Sequence, residues 1–93
     1  MRELEDVRAE LDRVDRELVR LFEKRMALSR EVARYKLAHG LPVLDAAREE
    51  QVLDSRVSML NNPALGEDVR TLYVCIMALS RGEQERLLKE AGV

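Results

Sequence analysis

No tryptophan occurs in these 93 residues, and the aromatic side chains amount to one phenylalanine and two tyrosines. An interior built from this chain has to be aliphatic, which suits helices carrying leucine and valine stripes. A single cysteine, Cys75, cannot close an internal disulfide, so nothing asks for an oxidising compartment. There is no positively charged start followed by an apolar run, and no apolar stretch approaches the roughly 20 residues a membrane span requires. Charge of either sign is not in excess: 16 basic residues stand against 18 acidic ones, a net charge of −2. That leaves no polyelectrolyte tail and no cationic surplus for wrapping nucleic acid. Also missing are a glycine-rich phosphate loop, a nucleophile–base pair, zinc-ligand spacing and any internal repeat. The expectation is one small cytoplasmic domain spanning residues 1–93, with no metal, no cofactor, no nucleic-acid partner and no membrane association.

What is abundant is helical pattern. Hydrophobic residues make up 46% of the chain and charged residues 37%. Leu4, Val7, Leu11, Val14, Leu18, Leu21, Arg25, Leu28, Val32 and Tyr35 follow one another at alternating steps of three and four. This is a heptad seam, the mark of a helix packed lengthwise against others. No glycine or proline interrupts it before Gly40 and Pro42, so a helix is predicted over about 2–38, followed by a bend over 39–44. At 1.5 Å per residue such a helix is roughly 55 Å long, whereas a compact chain of this size should have a radius of gyration near ~12 Å. One end must project beyond any core the chain can build for itself, and a homodimer is expected to cover it. A second helix is predicted over about 45–60, capped by Asp45 and carrying Leu44, Val52, Val57 and Leu60. A third is predicted over about 63–89, introduced by Asn62 and Pro63. Its apolar stripe reads Leu65, Val69, Leu72, Ile76, Leu79 and Leu87, with Tyr73, Met77, Ser80 and Gln84 on a neighbouring face. Cys75 and the methionines are assigned to the core. The fold class is all-α, three helices in a homodimeric bundle.

The informative positions are polar residues where the pattern asks for leucine. Arg25 occupies a seam slot between Leu21 and Leu28. A guanidinium there needs either a structural carboxylate partner, an exit to water, or an anionic ligand. Lys36 lies eleven residues further on, three turns along almost the same face. Arg8 precedes Arg25 by seventeen residues, roughly 25 Å along the same helix. The two can meet at one small molecule only if Arg8 comes from the partner of the dimer; otherwise it is a solvated surface arginine. Asp45, Arg48 and Glu49 share one face of the second helix. Their carboxylates suit a helix N-terminus, and the neighbouring cations disfavour a metal site. Ser80 and Gln84, four residues apart, interrupt the apolar faces of the third helix, either as a partly exposed polar stripe or as hydrogen-bonders in a pocket. A pocket with several cations, one or two carboxylates and two neutral hydrogen-bonders suits a small dianion that also carries a hydroxyl.

Taken together, Arg8, the "KR" ending in Arg25, "YK" with Lys36, "GLPVLD" reaching Asp45, "REE" with Arg48 and Glu49, and "SRGEQ" with Ser80 and Gln84 resemble the all-helical, type II family of chorismate mutases. The resemblance extends from Arg8 to the leucines after Gln84. It implies an intertwined helical dimer in which each site borrows an arginine, here Arg8, from the other subunit. It also implies the Claisen rearrangement of chorismate to prephenate, on the route to phenylalanine and tyrosine, without a cofactor or covalent intermediate. Carried over by position, Arg25, Arg8, Ser80 and Arg48 would hold the substrate carboxylates. Glu49 and the backbone around Asp45 would hold the ring hydroxyl, and Lys36 and Gln84 would donate to the breaking ether oxygen. The catalytic set on this reading is Lys36, Gln84, Arg25 and Glu49. Relatives are often fused to other enzymes of aromatic biosynthesis or act beside a partner, so both remain expectations. Isochorismate pyruvate-lyase, which shares the fold and much of the pocket, is the nearest rival. A noncatalytic helical dimerisation module is the rival from another class.

Overall fold

Thirty-five residues without a glycine or proline form α1, Leu4–Ala38. The computed structural model describes residues 1–93 and places two further α-helices after it. These are α2, Ala46–Ser58, and α3, Gly66–Glu90, the latter preceded by a 3-10 turn at Pro63–Leu65. There are no strands. Relative to the sequence pattern, α1 starts two residues later and the third helical segment divides into that short turn and α3.

Each boundary has a local cause. At the end of α1, the Leu41 amide donates to the Lys36 carbonyl at 2.8 Å and the Gly40 amide to the Leu37 carbonyl at 3.4 Å. With Gly40 at φ 66°, this is a Schellman close, which satisfies carbonyls that the helix leaves open. A β-carbon at Gly40 would meet nothing within 4 Å, so its left-handed backbone, not crowding, selects glycine. The Asp45 carboxylate accepts the Arg48 amide at 3.0 Å and caps α2. The Asn62 side chain accepts the Ala64 amide at 3.1 Å, with Pro63 in the first turn that follows.

α3 packs against both α1 and α2. The small apolar core consists of Val52 and Leu53 from α2 and Met77 from α3, with Tyr73 packed against them. Ala33 of α1 and Leu87 of α3 are also buried. Ion pairs lie along these contacts. Arg30 of α1 reaches Glu83 and Glu90 of α3, and Arg70 of α3 reaches Glu50 and Asp54 of α2.

The buried face of α3 differs from the predicted stripe. Leu65, Leu72 and Leu79 are 44% to 53% exposed, whereas Met77, Ser80, Gln84 and Leu87 are buried. The face turned toward the other two helices carries Ser80 and Gln84, and of the predicted stripe Leu65, Leu72 and Leu79 look outward while Leu87 is buried. Cys75 and Met59 are exposed rather than core, and Leu44 is exposed ahead of α2. Only eight of the 93 residues are buried, three of them polar: Ser29, Ser80 and Gln84.

The chain measures 56 × 26 × 14 Å with a radius of gyration of 16.7 Å, well beyond the ~12 Å of a compact chain this long. The excess is α1. Leu4, Leu11, Leu18, Leu28 and Tyr35 of its seam are 49% to 60% exposed. No helix is long and apolar enough to cross a membrane.

Candidate active site

The three helices and the bend enclose a cavity of about 290 Å³, near the small end for ligand sites. α1 contributes Arg25, Ser29 and Lys36; the bend and α2 contribute Asp45, Arg48 and Glu49; α3 contributes Ser80, Arg81 and Gln84. Leu28, Val32, Val43, Val52 and Met77 complete the lining. Seven of the eight residues singled out from sequence therefore line one space. Arg8, the eighth, lies on the exposed N-terminal half of α1, away from that cavity.

Lys36 is fixed by two acceptors. Its Nζ donates to the Val43 carbonyl at 2.5 Å and to Gln84 Oε1 at 3.1 Å. The first bond ties the bend back onto α1, and the second joins α1 to α3. An ammonium carries three donors, so one remains for the cavity. Gln84 is 6% exposed. With Oε1 taken by Lys36, the amide's donors lie on Nε2, which has no partner in the chain and is not sealed away. A lysine and an amide with unused donors thus stand side by side at the cavity wall.

Arg25 forms no salt bridge; its guanidinium lies 5.9 Å from the centre of the Tyr73 ring. A structural carboxylate partner is therefore not what holds this half-buried cation in the seam. The aromatic face stabilises it modestly and leaves its donors to the cavity. Arg48 is exposed at the rim and donates to Gln51 at 2.8 Å. Four cations and two carboxylates line the space, a local excess of two positive charges.

Two lining residues had not been assigned from sequence. The Ser29 hydroxyl donates to the Arg25 carbonyl at 3.1 Å and lies 2.6 Å from the Ser80 hydroxyl, a buried pair that packs α1 on α3 beneath the site. Its spacing was a usable signal: Arg25, Ser29 and Lys36 stand at i, i+4 and i+11 on one helical face. Arg81 is the other. Its Nη1 donates to both carboxylate oxygens of Glu49, each at 2.5 Å. A pair separated by 32 residues leaves no local trace in sequence. No group of three His, Cys, Asp or Glu side chains comes close enough together to hold a metal ion.

Chemically, the arrangement can seat an anion, anchor a hydroxyl on a carboxylate and aim donors at one further oxygen. Neither serine of the lining, nor Lys36, is paired with a general base, one of the usual ways such a nucleophile is activated.

Comparison with known proteins identifies the family. The family model described as chorismate mutase type II matches residues 7–85. The T-protein of Haemophilus influenzae is 45% identical over 56 residues, covering 60% of this chain and 15% of that protein. The bifunctional chorismate mutase/prephenate dehydratase of Aquifex aeolicus is 32% identical over 66 residues, 71% of this chain and 18% of that protein. The 4-amino-4-deoxychorismate mutase of Streptomyces venezuelae is 32% identical over 91 residues, covering 96% of this chain and 88% of that protein. The chain thus spans under a fifth of the length of the first two and most of the third.

Proposed function

This chain belongs to the type II chorismate mutase family, and from that premise we propose that it converts chorismate to prephenate, on the route to phenylalanine and tyrosine. The observation that carries the reading is the Lys36–Gln84 pair: two residues 48 positions apart, on α1 and α3, joined at 3.1 Å at the wall of a cavity with excess positive charge. The rearrangement is a single pericyclic step in which the ether oxygen gains negative charge as its C–O bond breaks. A site without a nucleophile can serve it. Lys36 and Gln84 donate to that oxygen and stabilise it most in the transition state. Arg25 and Arg48, with Ser80, hold the carboxylates, and Glu49 with the backbone at Asp45 holds the ring hydroxyl. Clamping both ends selects the folded conformer that brings the reacting carbons together.

The reading includes a homodimer, in which Arg8 of the partner subunit completes each carboxylate site. Its support is the exposed seam of α1 and the 16.7 Å radius of gyration; apolar surface left in water costs roughly 25 cal/mol per Å². The proposed location is the cytoplasm, where the free thiol of Cys75 needs no oxidising environment. The name of the Aquifex relative, and the greater lengths of it and the Haemophilus T-protein, make fusion to, or work beside, another enzyme of aromatic biosynthesis part of the proposal.

The test is incubation of the purified protein with chorismate and identification of the product by chromatography and absorbance. Prephenate is expected. Unchanged chorismate would refute the reading, and pyruvate released from isochorismate would replace it with the lyase. One relative bears the name 4-amino-4-deoxychorismate mutase, and the same assay run with that analogue tests the ring substituent.

A further inference from the structure

We infer that Arg81 determines which ring substituent the site accepts: by neutralising Glu49, it admits a hydroxyl and excludes an ammonium. This rests on the mutase reading and concerns its substrate class. Chorismate and its 4-amino-4-deoxy analogue share the carboxylates and the ether. They differ at one ring position, neutral in the first and, as an aliphatic amine, largely protonated at neutral pH in the second.

Glu49 is the carboxylate assigned to that position, and it is not free. Arg81 Nη1 bonds both of its oxygens at 2.5 Å, with side chains only 32% and 26% exposed. Each carboxylate oxygen has about two acceptor sites, and Arg81 occupies one on each. Glu49 can therefore still accept a hydrogen bond from a neutral hydroxyl. An incoming ammonium meets a different balance. The negative charge is already compensated, and Arg81 and Arg48 both line the same space. The remaining carboxylate, Asp45, is engaged by the Arg48 amide at the start of α2. Partial burial strengthens the penalty, because charges interact more strongly there than in bulk water. Without Arg81, the cavity's excess falls from two positive charges to one, and Glu49 becomes an unpaired anion at the ring position.

The experiment measures kcat/KM for chorismate and for 4-amino-4-deoxychorismate with four proteins: wild type, Arg81→Met, Arg81→Lys and the double variant Arg81→Met/Glu49→Gln. Wild type is expected to favour chorismate. Arg81→Met should move the ratio toward the amine by on the order of tenfold or more. Arg81→Lys, which keeps the charge, should restore the wild-type ratio, and the double variant should lose the gain. If Arg81→Met does not fold, Arg81→Gln reads the same ratio with a neutral donor in place. A ratio within twofold of wild type in Arg81→Met or Arg81→Gln, or a wild type that already prefers the amine, overturns the assignment. So does a gain that survives in the double variant, since it would then come from space and not charge. In those cases chorismate turnover by wild type still stands. A wild type that converts neither substrate instead removes the mutase reading, and this inference with it.

Discussion

Replacing Lys36 by methionine removes an ammonium and keeps most of the aliphatic stem. In the folded chain that ammonium holds the Val43 carbonyl and Gln84 Oε1 and has one donor left for the cavity. The two effects of the substitution have different sizes. Losing a preorganised donor to an oxygen that becomes charged only in the transition state should lower kcat by about 10²–10³, or roughly 2.7–4 kcal/mol. Losing the two intramolecular bonds affects folding by about 1–3 kcal/mol in total, because each replaces a bond to water. Since the ether oxygen carries little charge in the ground state, KM should change little, and kcat and kcat/KM should fall together. Continuous chorismate consumption under saturating and limiting substrate gives both constants, and a thermal melt gives the stability. A kcat within tenfold of wild type, or a loss confined to KM, would refute the placing of Lys36 at the breaking bond. It would leave the lysine as a tie between α1, the bend and α3.

Leu18 is 57% exposed in the middle of the seam; wild type should sediment as a dimer at micromolar concentration, and Leu18→Glu should abolish that dimer. A stable, folded wild-type monomer would be the contrary result. Mixing an Arg8→Ala chain with an Arg25→Ala chain, each nearly inactive alone, should restore about one working site per heterodimer, read as recovered turnover after co-refolding. No recovery would argue that Arg8 does not cross between subunits. For pH, Arg30 donates to Glu90 and holds its carboxyl below the usual 4.5. That contribution is present above the unfolded value and is lost as pH falls through the lower folded one. Melting temperature should thus decline less steeply below about pH 4.5 in Glu90→Gln than in wild type, and parallel curves would show that this exposed pair does not matter.

Helices were the most legible feature, because their signals are local. A glycine-free, proline-free seam gives α1, Asp45 gives the start of α2, and Asn62–Pro63 gives the turn before α3. Polar interruptions were legible too: Arg25, Lys36, Ser80 and Gln84 violate helical apolar patterning and all line the cavity. The inward face of α3 was only partly legible: Leu87 of the apolar stripe is buried, but Leu65, Leu72 and Leu79 are exposed, and Ser80 and Gln84 lie inside. Hydrophobicity ranks the leucine stripe first, yet the cavity requires the polar one inside. Arg81 escaped for a different reason. It lies beside Ser80 in sequence, but its significance is set by contact with Glu49 on another helix, and such a contact depends on how α2 and α3 dock.

Site and assembly are, on the proposed reading, one physical problem. Three of the eight buried residues are polar and belong to the cavity or its floor, which leaves Ala33, Val52, Leu53, Met77 and Leu87 as the buried apolar set. Five buried apolar side chains, one of them an alanine, are a thin interior for a chain of 93 residues. On that reading the missing apolar burial comes from the exposed seam of α1 and a second copy. The same length that overreaches the chain's own core carries Arg8 roughly 25 Å from Arg25, toward whatever packs along the seam. Shortening α1 from its N-terminus should therefore remove stability and carboxylate recognition together. A truncation that loses only one of the two would separate what the proposed dimer joins.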